Sequence, residues 1–315
     1  MAMTSRRQAI GMVPPPLLVP RGDLVNVLEY EAQARHVLGA KAAPILGSDR
    51  SVTDRITLRP RMNIPTRDLD LTARLFGDDH FTPIILGPIA DQKRFHPEGE
   101  VATARGASAA KAAMVVSSET SLPLSAIAQA ATTPLYLQVK TGTKVNDTHG
   151  ARAVFVTVDG AHVDWVGVDA VIKSTPLPVV VKGITHPQDA KEAAARGAKG
   201  VVVSNWRKDS AATLPGTLLL IAPVVEAVGD KIPVLADGSF RRGTDIVKAL
   251  AFGARGVLIG RPVLWGLAAY GADGVQGVVE MLQTELARYM CMCGRPTLAA
   301  VDSSLVQVHA VKNHG

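Results

Sequence analysis

Eight short runs of this chain are apolar nearly from end to end, without the in–out alternation of a half-exposed sheet: PIILGP (83–88), AMVVSS (113–118), LYLQV (135–139), AVFVTVD (153–159), PVVVKG (178–183), GVVVSN (200–205), IPVLADG (232–238) and GVLIG (256–260). Strands of that kind are buried on both faces, the condition of a parallel sheet wrapped by helices. Between most of them lie stretches with Ala, Leu, Val and charges at helical spacing, over 98–113, 122–131, 187–196, 217–228, 243–252 and a long one over 265–292. The intervals after Val139 and after Asp159 are short, with room for a stunted helix or a loop. Eight such units predict an α/β fold, a single (β/α)8 TIM barrel with shortened loops after strands three and four, and a doubly wound open sheet is the alternative. A chain of 315 residues, 47% hydrophobic and 20% charged, can bury a core of that size. Residues 25–315 read as one domain, and 1–24 as a flexible leader.

That leader contains Ser5-Arg6-Arg7, which is similar to the start of a twin-arginine export signal. Pro14, Pro15 and Pro16 interrupt what would have to be a continuous apolar segment, so a cytoplasmic location is expected. The net charge is +6, yet no block of Lys and Arg with interleaved aromatics occurs, and no run of 18 apolar residues does either. Neither a nucleic-acid partner nor a membrane span is expected. Cys291 and Cys293 stand at i and i+2 in a helical context, where side chains do not face each other, so neither a disulfide nor a metal pair is indicated and a reducing compartment fits.

Barrels of this kind carry their chemistry at the C-terminal ends of the strands. Here those ends offer Pro88, Ile89 and Ala90, then Ser117, Ser118 and Glu119, then Gln138 to Lys140, then Thr157 to Asp159, then Lys182, then Ser204 to Trp206, then Asp237, Gly238 and Ser239, and finally Gly260 and Arg261. The last two loops, DGSFRRGTD and GRP, occupy the positions at which many barrels bind a phosphate. Gly238, Gly243 and Gly260 let the backbone approach, the following helices present free N–H groups, and Arg241 and Arg261 can each pair bidentately with a phosphate. Solvated arginines beside glycine turns are the plainer reading of either loop alone. Lys182 ends an otherwise apolar strand and would be costly there unless it faced an anion or an electron-rich ring.

The stretches LRPR (58–61), HPEGEVATARGAS (96–108), TVD (157–159), VVVKG (179–183), GVVVSN (200–205) and DGSFRRGTDIVKALAFGARGVLIGRPVLWGLAAYG (237–271), with NVLEYEAQARHVL (26–38) more weakly, resemble the FMN-dependent 2-hydroxy acid oxidases and dehydrogenases. That family includes glycolate oxidase, lactate oxidase and mandelate dehydrogenase. The resemblance covers most of the chain and implies bound FMN. It sets Pro88, Ile89 and Ala90 beneath the flavin ring, and Ser117 or Ser118, Gln138 and Thr157 around the ring edge. Lys182 takes the position facing the negative charge of reduced flavin, and Asp237, Gly238, Ser239, Arg241, Gly260 and Arg261 form the phosphate end. It also implies a small-molecule substrate and a homo-oligomer, a tetramer in many members.

The substrate positions depart from that pattern. Where the family reads SNHG, with a histidine that takes the substrate's proton, this chain reads SNW, and the indole of Trp206 has an N–H donor but no basic lone pair. The family's carboxylate-binding arginine is matched by Asp209, near Arg207 and Lys208. Its tyrosine after the strand-three glutamine is Lys140, the early tyrosine is absent from AAPILGSDRS (42–51), and a long loop with a second arginine is cut to GAHVDWVGVDAV (160–171). The expected function is therefore an FMN-dependent oxidoreductase with a rebuilt pocket and a substrate other than a simple 2-hydroxy acid. Trp206, Lys140, His162 and Asp209, together with Glu119, are the candidate groups, although His162 reads equally as a surface histidine. Trp206 is either a platform facing the substrate or filler of an unused pocket. A flavin-binding barrel retired from catalysis, serving as partner or scaffold, is one alternative, and a conventional 2-hydroxy acid oxidase with a substitute base is another.

Overall fold

Side chains that are apolar on both faces of a strand need a partner layer on each, and the chain meets that need by closing its sheet on itself. The computed structural model describes residues 18–47, 50–61, 64–159, 162–206 and 216–310. Eight parallel strands form a closed barrel in sequential order. They are β1 Ile84–Leu86, β2 Ala113–Val116, β3 Leu135–Lys140, β4 Val154–Thr157, β5 Val179–Ile184, β6 Gly200–Val203, β7 Val234–Asp237 and β8 Gly256–Ile259, and the seam sets Ile259 beside Leu86. Six fall inside the apolar runs, and β3 and β5 extend one residue beyond theirs, to Lys140 and Ile184.

Period two divides every strand into an inner and an outer set. Ile85, Val115, Tyr136, Phe155, Val180, Val202, Leu235 and Leu258 point inward and fill the barrel as one buried cluster. Their neighbours, such as Val116, Leu137, Val156 and Val181, join the larger cluster beneath the helices. Those helices are α1 Val27–Leu38 ahead of the barrel, then α2 Gly99–Ala109, α3 Leu124–Ala130, α4 Trp165–Ser174, α5 Pro187–Ala195, α6 Thr217–Val228, α7 Gly243–Ala251 and α8 Arg261–Met292. Residues 141–153, between β3 and β4, contain no helix.

Three sequence expectations need correction. The interval after Asp159 holds α4, a helix of ten residues and not a stunted one. Asp164 starts it by accepting from Gly167 N–H at 2.9 Å, and a Cβ at position 167 would run into that same carboxylate. The long C-terminal helix begins at Arg261, four residues earlier than its spacing suggested, because Pro262 is suited to a first turn. It is also broken at Tyr270 and Gly271, the latter at φ 60°. The helix read over 98–113 stops at Ala109, leaving Ala113 to open β2.

The lower end of the barrel is closed by a hairpin that the sequence reading did not find, Ala73–Leu75 paired with Asp78–His80. Phe76 and Gly77 turn it with φ of 53° and 92°, the two positive values a tight two-residue hairpin turn requires. Phe76 is driven into the barrel edge-on to Tyr136 at 5.7 Å and Phe155 at 5.9 Å. His80 Nε2 lies 2.9 Å from the Tyr136 hydroxyl. Burial holds the His80 imidazole below its ordinary value, against the weaker pull of Asp78 and Asp79. The unfolded chain therefore binds a proton first as the pH falls, so this contribution is complete above the ordinary histidine pKa and is lost below it. Urea unfolding at pH 7.5 and 5.5 should show stability falling by up to about 1.4 kcal/mol per pH unit through this site. His80→Gln, which keeps a hydrogen-bonding group beside Tyr136, should flatten the slope, and equal slopes in both proteins would refute the assignment.

Candidate active site

Carried toward the C-terminal ends of the strands, the inward register changes from apolar to polar in one step. Above Val115 comes Ser117, above Tyr136 comes Gln138, above Phe155 comes Thr157, and above Val180 comes Lys182. Continued in the same way, Val202 is followed by Ser204, Leu235 by Asp237 and Leu258 by Gly260. A ring of polar groups therefore lies on an apolar plug, with Thr157 in register with both Lys140 and Lys182.

Two hydrogen-bonded sets make up the ring. On one side Gln138 Oε1 accepts from Ser117 Oγ at 3.2 Å and from Ser118 N–H at 3.3 Å, while its amide nitrogen donates to Val139 C=O at 3.1 Å. On the other, Lys182 Nζ meets Asp237 Oδ2 at 2.7 Å, and Ser204 Oγ donates to the same oxygen at 3.1 Å. Lys182 is only 4% exposed, and the anion it faces within the protein is Asp237, its counter-ion. Ser204, read from the sequence as a strand-end residue with no role in the site, ties the ends of β6 and β7, and its Oγ also accepts from Trp206 N–H at 3.3 Å. Its period-two position above Val202 was the signal for it.

The ends of β7 and β8 hold a different kind of group. Arg241 is 3% exposed, and its guanidinium stacks on the Trp265 ring at 4.8 Å. Its Nη1 donates to Phe240 C=O at 2.9 Å, while Nε and Nη2 are buried with no hydrogen-bond partner. Burial first, then the nearby Arg261, push its pKa down to about 9. A buried cation with orphaned donors beside a second arginine is an unfinished anion site. Its surroundings leave room: a Cβ on Gly260, at the α8 N-terminus, would meet nothing within 4 Å, and Ser239 beside Gly238 is held at φ 25°. Arg261 Nη1 donates to Gly47 C=O at 2.6 Å. Asp245 braces the loop by accepting from the N–H groups of Arg241 at 2.9 Å and Arg242 at 3.0 Å, and from Arg50 at 2.8 and 3.1 Å. Arg50 lies 195 residues away in sequence, and no local pattern pointed to it.

Strand one contributes Pro88 and Ile89, half-buried, and Ala90, exposed. Their loop is pinned because Gln92 Nε2 donates to Ile89 C=O at 3.3 Å, with Gln92 Oε1 in turn accepting from Thr103 Oγ1 at 2.5 Å. At the rim, Lys140 Nζ pairs with Glu119 Oε1 at 2.6 Å, both side chains facing solvent. Trp206 is 59% exposed and so does not fill the barrel. His162 is exposed on the loop before α4. Asp209, with Arg207 and Lys208, lies outside the described residues.

This arrangement can hold a phosphate at β7 and β8, present neutral donors and acceptors at β2 and β3, and keep a fixed ammonium at β5. The sequence model of the FMN-dependent dehydrogenase family matches residues 28–162 and 141–308. A peroxisomal (S)-2-hydroxyacid oxidase of Arabidopsis thaliana is 30% identical over 93% of this chain and 99% of its own length. Glycolate oxidase of Spinacia oleracea is 31% identical over 90% of this chain and 95% of its own. Among solved structures, mandelate oxidase with (S)-2-phenylpropionate superposes with a TM-score of 0.84 at 30% identity, covering 91% of this chain and all of that one.

Proposed function

Because the chain belongs to the FMN-dependent dehydrogenase family, and is an FMN-dependent oxidoreductase of the 2-hydroxy acid oxidase type, we propose that its pocket is rebuilt for a substrate other than a simple 2-hydroxy acid. The observation that carries this reading is Trp206. It stands at the end of β6 where the resembling sequences have their proton-accepting histidine, and it is exposed at the barrel mouth. An indole can offer a flat apolar face and one N–H donor, but it cannot take a proton from a hydroxyl or an α-carbon. A substrate with a flat apolar portion laid against that face fits the residue better than lactate or glycolate does.

The orphaned donors of Arg241, with Arg261 and the open N-terminus at Gly260, would hold the FMN phosphate. Ser117, Gln138 and Thr157 would meet the polar edge of the ring. When bound, FMN supplies a two-electron acceptor. Lys182, aimed by Asp237, contributes a positive charge that offsets negative charge at the barrel mouth. Protons leaving a substrate must go to a group other than Trp206, and Lys140 and Glu119 are the titratable pair at the rim.

The test is anaerobic. Protein carrying FMN should keep its visible absorption band through prolonged incubation with lactate, glycolate or mandelate, yet bleach fully with dithionite. Bleaching by any of the three hydroxy acids at a catalytically competent rate would overturn the proposal and favour a conventional oxidase with a substitute base.

A further inference from the structure

Seven of the eight barrel strands are followed by a helix that covers the outer wall, and β3 is not. Residues 141–153 take the place of that helix as extended chain and turns. Three turns of helix, about 16 Å long and 10 Å across, occupy on the order of 1,300 Å³. The loop does not replace all of that volume. What remains is a cavity of about 310 Å³ against the wall, at the lower end of the range for small-molecule sites.

The floor of this cavity is the outward face of β2 and β3, namely Val116, Leu137 and Val139, with Leu124 and Val145 on its sides. These side chains belong to the outer set of the strands, so the cavity lies across the wall from the barrel mouth, meeting it at Ser117, Ser118 and Gln138 on the strand tips. Its rim carries one cation, Lys144, and one carboxylate, Asp147. Asp147 is already engaged by His149, whose Nε2 lies 2.9 Å away and whose N–H donates at 3.0 Å. Lys144 has no ion pair among the described residues. The space is too small for a partner's helix, which would need the whole of 141–153 displaced. We infer that the cavity left by the missing third helix is a binding site for a small amphipathic monoanion, its aliphatic or aromatic body on the Val116–Leu137–Val139 floor and its carboxylate toward Lys144.

This site stands apart from the proposed change of substrate. Octanoate is the probe, titrated calorimetrically into FMN-loaded protein with absorbance at 450 nm read in the same samples. One saturable site per chain is expected. Lys144→Glu, on the surface, should weaken it about fivefold by reversing the charge at the rim. Val145→Trp, which fills the cavity from the loop side, should abolish it with the melting temperature and FMN content retained. 1-Octanol should bind more weakly than octanoate.

Absence of saturable octanoate binding would overturn the inference. So would wild-type binding by a folded Val145→Trp protein, or by Lys144→Glu should the tryptophan variant fail to fold. Loss of the 450 nm band in step with octanoate binding would place the probe in the flavin site, and the inference would fall with it. A colourless protein, in contrast, would count against the FMN assignment, while its octanoate isotherm would still decide the cavity.

Discussion

Arg241→Ala should yield protein that has lost FMN and yet folds with a stability close to that of the native apoprotein. The two effects have one cause. In the apoprotein the guanidinium is buried with Nε and Nη2 unsatisfied, and Arg261 lies close enough to depress its pKa further. Each unsatisfied buried donor costs about 1–3 kcal/mol, so truncation removes a penalty at the same time as it removes stacking on Trp265. The balance should leave the apoprotein within about 1 kcal/mol of the native one. In the loaded protein the same side chain is the charged partner of a phosphate in a dry site. Losing such a partner costs about 2–5 kcal/mol, or roughly 30-fold to several thousandfold in affinity. The ratio of absorbance at 450 nm to that at 280 nm measures retention, quenching of added FMN fluorescence measures the dissociation constant, and calorimetry of the apoprotein measures stability. An Arg241→Ala protein that stays yellow through dialysis, with an unchanged dissociation constant, would remove the phosphate assignment. Arg261→Ala should have a smaller effect, because that side chain is more open and also serves Gly47 C=O.

Lys182→Met should destabilise the barrel whether or not FMN is present. The ammonium is the partner of Asp237, whose Oδ2 would keep only the Ser204 hydroxyl as donor. Breaking one side of a mostly buried pair leaves the other charge uncompensated, at about 2–4 kcal/mol here because Asp237 retains some contact with solvent. For a chain of this size that is a fall in melting temperature of about 3–6 °C. Lys182→Met with Asp237→Asn should recover most of it, since the amide is neutral and still accepts from Ser204. Failure of the second substitution to recover stability would mean that Lys182 acts by packing and not by charge.

Much of the barrel was readable from local pattern. Runs such as GVVVSN and PVVVKG declare a doubly covered strand because every residue needs an apolar neighbour, and the shift to polar residues at Ser117, Gln138, Thr157 and Lys182 marks the end of the plug. The phosphate end was legible for the same reason: Gly and Arg at fixed offsets after two strands are a short-range signal. Legibility ended where a residue's partner lies far along the chain. Lys182 looked unpaired until β5 and β7 brought Asp237 to 2.7 Å, and Arg50 had no visible purpose until it reached Asp245. The Phe76–Gly77 hairpin escaped notice because its strands are three residues each, too short to show a period.

Fold class, strand count and the polar nature of the mouth are thus properties of the chain's local pattern, since burial on two faces and backbone approach at glycine are demands that neighbouring residues meet or fail to meet. Charge pairing, the orphaned donors of Arg241, the exposure of Trp206 and the cavity beside β3 are products of folding. Each depends on which groups the closed barrel brings together, or leaves apart, across tens to hundreds of residues. Electrostatic cost and empty volume are settled by distance in space, and distance along the chain does not report it.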